Sequence, residues 1–391
     1  MSDTPTLGVV GGGQLGRMLA EAAAPLGVEL VVLDPTPDCP AAPVARDQIV
    51  GDFDDEAAVR DLASRADYLT FEIELADPDV LARAGEEYGV PVHPDPETLR
   101  TIQDKLVQKR ALDEAGVPVP AFRCVDDRAD LLDAIEAFGF PVMLKAREGG
   151  YDGRGNVPVR DETDVDDALT EISAATEGDG VGAMAEQFVE FEREVSIIGA
   201  KGADGTATFP LGENVHREEI LRETVVPART DEGVTERARE VAEDVLDLLD
   251  GRGVYGIEMF EAPDGSVSVN EIAPRPHNSG HYTIEGALTS QFEQHVRAVT
   301  GRPLGATDLR SPVVSTNLLG DVDERRSAEI SGVETVLGHP GASYHWYGKR
   351  EVYPLRKMGH VTVVGDCEAD AESTGDLLRD ARDLREEVTF R

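Results

Sequence analysis

Through the first hundred residues, short apolar runs alternate with stretches whose apolar positions recur at helical spacing. Residues 7–10, 29–34, 48–52, 68–74 and 91–93 read as strands, and this alternation predicts a parallel sheet with crossover helices. A helical pattern over 97–116 leads to Val117-Pro-Val-Pro120, a candidate boundary. Beyond it the pattern is mixed, with strands expected at 141–146, 194–199, 253–260 and 266–272. Residues 231–251 form an amphipathic helix with Val234, Ala238, Val241, Val245, Leu246 and Leu249 on one face. After Gly301 come two short strands, 313–318 and 359–364, and a charged helix near 371–386. The expected organisation is a Rossmann-like unit over 1–108, an α+β unit over 109–300 and a small unit over 301–391. No repeat or low-complexity linker separates them, so one compact body is expected.

Two alternating strands flank Asp264-Gly265, the strongest short-range hairpin signal. A two-residue loop there sets Glu258 directly opposite Glu271, with Phe260, Val267 and Val269 on the same face. Directly opposed like charges destabilise a sheet unless something bridges them. A divalent cation does so, and magnesium characteristically takes one or two carboxylates plus substrate oxygens. A one-residue slip in register undoes the pairing.

Gly11-Gly-Gly13-Gln-Leu-Gly16 follows a strand and opens a helix, and Asp34 ends the next strand. That is the dinucleotide fingerprint, which alone favours a nicotinamide oxidoreductase, although such a turn suits any phosphate. Lys145 closes an apolar strand and is followed by Gly149-Gly-Tyr-Asp-Gly-Arg-Gly155. Amides of so glycine-rich a flap can fold over phosphates, with the lysine adding a point charge. At 185–196 a strand, a short link and a second strand can offer backbone groups to a base and a carboxylate to ribose.

Composition narrows the field. With 40% hydrophobic and 29% charged residues and no apolar run of membrane length, the chain is a globular protein expected in the cytoplasm. The formal net charge of −40 disfavours nucleic-acid and membrane partners and suits an acidic surface in high salt. Three scattered cysteines carry no metal or disulfide spacing. Only six of 37 basic residues are lysines (Lys105, Lys109, Lys145, Lys201, Lys349 and Lys357), so a retained lysine marks a place where a compact ammonium is needed.

Together the stretches 12–19, 149–155, 270–281 (Asn-Glu-Ile-Ala-Pro-Arg-Pro-His-Asn-Ser-Gly-His), 345–349 and 356–360 resemble the ATP-grasp superfamily. Within it they are similar to the 5-(carboxyamino)imidazole ribonucleotide synthetases of purine biosynthesis. The resemblance implies an ATP-grasp fold, behind an N-terminal Rossmann-like domain that serves the substrate rather than a dinucleotide, and a mobile subdomain at about 117–185. It implies ATP bound by Lys105, Lys145, a flap of Gly150, Tyr151, Asp152, Gly153, Arg154 and Gly155, a hinge of Glu186, Gln187, Phe188 and Val189, and Glu194, His216, Asn270 and Glu271. Magnesium falls to Glu258 and Glu271. Tyr151, Arg275 and His277 are the implied catalytic residues, His277 for the proton and Arg275 for anion stabilisation. Gln14, Glu72, Arg275, His277, Lys349, Arg356 and Lys357 are implied to bind substrate.

The implied reaction joins bicarbonate to the exocyclic amine of 5-aminoimidazole ribonucleotide through carboxyphosphate, with ATP cleaved to ADP and phosphate. A homodimer and a separate downstream mutase are expected. The rivals are a formate-using glycinamide ribonucleotide ligase, which the His-Asn-Ser-Gly-His stretch disfavours, a nicotinamide oxidoreductase, and a silent nucleotide-binding regulator.

Overall fold

The computed structural model describes residues 4–149, 155–175, 181–366 and 374–390. Among these residues the first sheet is parallel and four-stranded, comprising Thr6–Val10 (β1), Glu29–Asp34 (β2), Asp47–Val50 (β3) and Tyr68–Phe71 (β4) in the order β3-β2-β1-β4. Its central strands are continuous apolar runs because helices cover both faces. Helix Gln14–Ala23 packs Leu15, Met18 and Leu19 against one side, and Val59, Leu62 and Leu81 of helices Glu56–Ser64 and Pro78–Tyr88 pack against the other. The strand expected at 91–93 is reduced to a single bridge from Val92 to Leu69, since Pro91 and Pro94 lack donors.

The helix expected over 97–116 is two helices, Pro96–Gln103 and Lys105–Glu114. Asp104 breaks it by turning extended and accepting the Leu106 and Val107 amides. This N-cap places Lys105 at the first position of the second helix.

A second sheet, antiparallel, holds Phe122–Val125 (β5), Val142–Ala146 (β6), Asn156–Val159 (β7) and Ala183–Gln187 (β8), ordered β5-β8-β6-β7. Helices Arg128–Phe138 and Val165–Ala175 cover it. The third and largest sheet contains Arg193–Lys201 (β9), Thr206–Thr208 (β10), Gly212–Arg217 (β11), Ile220–Val226 (β12), Gly253–Glu261 (β13), Val267–Ala273 (β14) and Val313–Leu319 (β15). Two short ribbons pair Arg326–Ser327 (β16) with Glu351–Val352 (β19) and Ile330–Ser331 (β17) with Thr389–Phe390 (β21). Ala342–Trp346 (β18) and Lys357–Val364 (β20) then complete the large sheet, whose order is β14-β13-β9-β11-β12-β15-β20-β18. The C-terminal strands thus continue the sheet that carries the Glu258–Glu271 hairpin. Helix Glu232–Leu248 covers the hairpin end with the apolar face expected for it, every named residue of which is buried.

Helix Gln291–Val299 joins the first sheet to the third. Phe292, Val296 and Val299 share a core with Leu15 and Met18. His295 is fully buried, its Nδ1 accepting from the Val254 amide at 3.1 Å and its Nε2 lying 2.8 Å from Thr70 Oγ1. Burial pulls its pKa down to about 3, so it is a neutral imidazole that pins β13 to β4. No helix among the described residues is long and apolar enough to cross a membrane.

Candidate active site

Glu258 and Glu271 are directly opposed, by a route different from the expected one. The turn is the longer loop Pro263-Asp264-Gly265, closed by Ala262 N–H to Ser266 O at 2.9 Å and Gly265 N–H to Ala262 O at 2.8 Å, with Gly265 at φ +78. That loop alone would set Glu271 against Ile257. A β-bulge at Asn270 shifts the register back between the Glu258 and Met259 pairings. The bulge also turns Val267 and Val269 into the core beside Met259, which corrects their expected place next to the glutamates. Phe260 stays on the site face, where Phe191 stacks on it with ring centroids 5.2 Å apart.

The two carboxylates differ. Burial, reinforced by Glu271 and Glu194 and only partly opposed by His216, pushes Glu258 up to about 7. Burial works on Glu271 too, but Lys105, whose Nζ lies 3.1 Å from Oε1, together with Lys145 and Arg275 holds it below its ordinary value. An ionised carboxylate facing one that half-retains its proton near neutrality is a pair that a dication would relieve. Among the described residues no group of three or more His, Cys, Asp and Glu side chains is arranged to hold a metal. Two carboxylates completed by substrate oxygens suit magnesium under that condition.

Lys145, at the end of β6, donates to Glu186 Oε1 at 2.8 Å and to Asn270 Oδ1 at 3.1 Å. Glu186 is 2% exposed, and its other oxygen lies 2.9 Å from Lys109 Nζ. The Glu186 side chain thus serves two lysines, which leaves its backbone for the hinge role expected of 186–189. The Gln187 amide is committed to Ala121 O at 2.8 Å. Phe188 and Val189 follow in the open link. Glu194 Oε2 lies 2.8 Å from His216 Nδ1. Burial opposes the charge on His216, but Glu194 outweighs it and raises the pKa. Gly150, Tyr151, Asp152, Gly153 and Arg154 lie outside the described residues. Gly155 closes the segment by accepting the Ala146 amide at 2.7 Å.

The glycine loop does not present its amides to a ligand. Gly12 N–H donates to Asp34 Oδ2 at 2.9 Å and Gly13 N–H to Glu72 Oε1 at 2.6 Å. Two of the loop's amides are thus already taken up by carboxylates, which counts against the nicotinamide reading. Burial pushes Glu72 up to about 7, against the Gly13 hydrogen bond and the field of Arg275. A proton held more tightly in the folded state than in the unfolded chain stabilises the fold below the ordinary value of 4.5, and that stability is lost as pH rises through about 7. Glu72→Gln mimics the protonated acid. Relative to wild type it should therefore gain up to about 3 kcal/mol of unfolding free energy between pH 5 and pH 8. Denaturant titrations at both pH values measure this, and parallel profiles would place the Glu72 proton elsewhere.

On the hairpin side, Arg275 pairs with Glu74 at 2.8 Å. His277 sits over Gly256 of β13, its Nδ1 2.9 Å from Ser279 Oγ, 3.4 Å from the donating Ser279 amide and 3.9 Å from Glu258 Oε1. Accepting at Nδ1 leaves the proton on Nε2. Burial first, then Arg275 and Lys357, keep the ring neutral, well below its ordinary pKa. The fully buried Gln291 clamps this residue, accepting from the His277 amide at 2.9 Å and donating to its carbonyl at 2.7 Å. His281 is no partner in a metal pair, for it is fully buried with its ring 4.8 Å from that of His360. Gln291, Ser279 and Glu74 were not expected from sequence. Gly256 carried a signal, because a glycine inside an alternating strand marks a close approach.

Across the molecule, Lys349 Nζ donates to Gln14 Oε1 at 2.6 Å and to the Lys357 carbonyl at 2.5 Å, bringing the C-terminal basic segment onto the first sheet's glycine loop. Lys357 lies close enough for its charge to act on Glu258, His277 and His216. Arg356 stands apart, stacked over Tyr353 at 4.9 Å and donating to the Glu351 carbonyl at 2.6 Å.

Lysines from two separate elements thus converge on one hairpin, and residues 110–292, which include that hairpin, match the ATP-grasp domain family. Residues 4–103 match the ribonucleotide synthetase preATP-grasp domain, and residues 314–374 match the phosphoribosylaminoimidazole carboxylase C-terminal domain. The N5-carboxyaminoimidazole ribonucleotide synthase of Brucella melitensis is 44% identical over 362 residues, covering 92% of this chain and 96% of that protein. The solved structure of the Thermotoga maritima synthetase superposes with a TM-score of 0.86 at 41% identity, covering 99% of each chain. That of the Aspergillus clavatus enzyme, complexed with ADP and 5-aminoimidazole ribonucleotide, gives 0.88 at 34% identity over 99% of this chain and 100% of that one. The chain belongs to the N5-carboxyaminoimidazole ribonucleotide synthase family.

Proposed function

We propose that this ligase activates bicarbonate with ATP and transfers the carboxyl group to the exocyclic amine of 5-aminoimidazole ribonucleotide, giving N5-carboxyaminoimidazole ribonucleotide for purine biosynthesis. The observation that carries the reading is the asymmetric Glu258–Glu271 pair, met on one side by Lys105 and Lys145 and on the other by His277. Phosphate-binding cations and a reaction chamber thus share one pair of carboxylates.

A bicarbonate oxygen attacks the γ-phosphorus of ATP, the bond to ADP breaks, and carboxyphosphate forms. The amine then attacks the carboxyl carbon, or the carbon dioxide released there, and the departing phosphate takes up the proton that the amine gives up. Lys105 and Lys145 place positive charge beside the transferring phosphoryl group. Glu258 and Glu271 would hold magnesium, which when bound neutralises charge on the phosphate oxygens. Arg275, already partnered by Glu74, stabilises the bicarbonate anion. His277 cannot readily gain a proton where it is buried, so it acts as a neutral Nε2–H donor to a carboxyl oxygen. The glycine-rich flap and Tyr151 would cover the intermediate and exclude water.

Lys349, tied to Gln14, and Lys357 serve the ribonucleotide phosphate. Lys349→Ala should raise the KM for 5-aminoimidazole ribonucleotide about tenfold with kcat and the KM for ATP nearly unchanged. Steady-state kinetics with each substrate varied would show it, and an unchanged ribonucleotide KM removes Lys349 from that site. The formate-using alternative is tested in the same assay with glycinamide ribonucleotide and formate, which should release no ADP above background.

A further inference from the structure

Lys109 lies one helical turn beyond Lys105 and is 2% exposed, yet no step above uses it. Its Nζ is 2.9 Å from Glu186 Oε2 and donates to the Val269 carbonyl at 2.8 Å. Val269 immediately precedes Asn270, the residue at which β14 shifts register so that Glu271 meets Glu258. Glu186, in turn, is the carboxylate that accepts from Lys145.

Burying an ammonium is costly unless it is paired. Glu186 already has a full partner in Lys145, so neutralising Glu186 does not call for a second lysine. A methionine of similar volume would fill the space. What methionine would not supply is a donor to the Val269 carbonyl and a second positive charge on Glu186.

We propose that Lys109 is a positioning residue of the nucleotide site. It anchors the β14 bulge that aligns Asn270 and Glu271, and it shares the Glu186 carboxylate so that Lys145 keeps net positive charge for the ATP phosphates. With Lys109 the buried triad carries one net positive charge; without it Lys145 and Glu186 cancel. This inference rests on the reading that Lys145 contacts those phosphates.

ADP affinity, measured calorimetrically with magnesium on the full-length enzyme, tests it. K109M should weaken ADP binding about tenfold, and K109M/E186Q should recover to within about threefold of wild type, because Lys145 regains its charge. A merely structural defect would not be rescued by removing a second buried group. The double variant should nevertheless keep a depressed kcat, since no donor reaches the Val269 carbonyl. If K109M does not fold, K109Q and K109Q/E186Q make the same comparison. ADP binding by the Lys109 variant within twofold of wild type, or a double variant as weak as the single one, overturns the proposal. K145M keeps the two failures apart: wild-type affinity there overturns the phosphate reading itself, whereas weak binding by K145M beside wild-type K109M overturns only the role of Lys109.

Discussion

Glu271→Gln should lower kcat by about three orders of magnitude while the unfolding midpoint stays within a few degrees of wild type. Glutamine keeps an oxygen for Lys105 Nζ, which now lies 3.1 Å from the carboxylate, so the local hydrogen bonding survives. What disappears is the one carboxylate of the pair held below its ordinary pKa, and hence the charged ligand for a cation. The fold should tolerate the change, because the Glu271 side chain is 48% exposed. Turnover close to wild type would remove the metal from this hairpin.

Gly256→Ala should cost about a hundredfold in kcat while ADP binds nearly as before. A Cβ built on Gly256 falls 2.4 Å from His277 Cβ and 2.7 Å from its Cγ, far inside contact distance. The strand cannot yield, since Gly256 is paired with Ile198 on one side and Ala273 on the other. The His277 backbone is held by both hydrogen bonds of Gln291, and because the clash reaches its Cβ, relief must displace the whole residue from its place over β13. Lys105 and Lys145 reach the hairpin from other elements, at Glu271 and Asn270, and keep their places. Unchanged kcat would show that the ring position over β13 is unimportant to the chemistry.

The hairpin shows what patterning can and cannot read. Alternation located both strands, and the opposed glutamates followed from an assumed two-residue loop. The loop is longer by one residue, and a bulge at Asn270 cancels the difference. Nothing in the local pattern announces that bulge, because its anchor, Lys109, comes from a helix 160 positions away in sequence. The same reason hid Gln291 and Glu74, whose roles arise only when helix and loop are folded against the site. The glycine loop was legible as a tight strand-to-helix turn, but its occupants, Asp34 and Glu72, are set by tertiary packing.

The lysine pattern was more informative. Lys105 and Lys145 converge on the hairpin, Lys349 and Lys357 meet the glycine loop and the carboxylates, and Lys109 is buried against Glu186. Lys201, the remaining one, donates to the Leu246 and Leu249 carbonyls at 2.7 and 2.6 Å, closing the C-terminus of helix Glu232–Leu248. Lys105, Lys109, Lys145, Lys201 and Lys349 sit where a compact ammonium meets side-chain or backbone oxygens, a task that suits a point charge better than a planar guanidinium. In a chain this acidic most cationic surface positions are filled by Arg, and all the lysines but Lys201 lie near the hairpin or the glycine loop.

Bicarbonate activation at the hairpin site is tested most directly by the isotopic composition of the phosphate released. The enzyme is given ATP, 5-aminoimidazole ribonucleotide and 18O-labelled bicarbonate. Attack of a bicarbonate oxygen on the γ-phosphorus predicts one labelled oxygen in each phosphate, formed in step with ADP and carboxylated product. Unlabelled phosphate, with ADP still released and the amine still carboxylated, would contradict it.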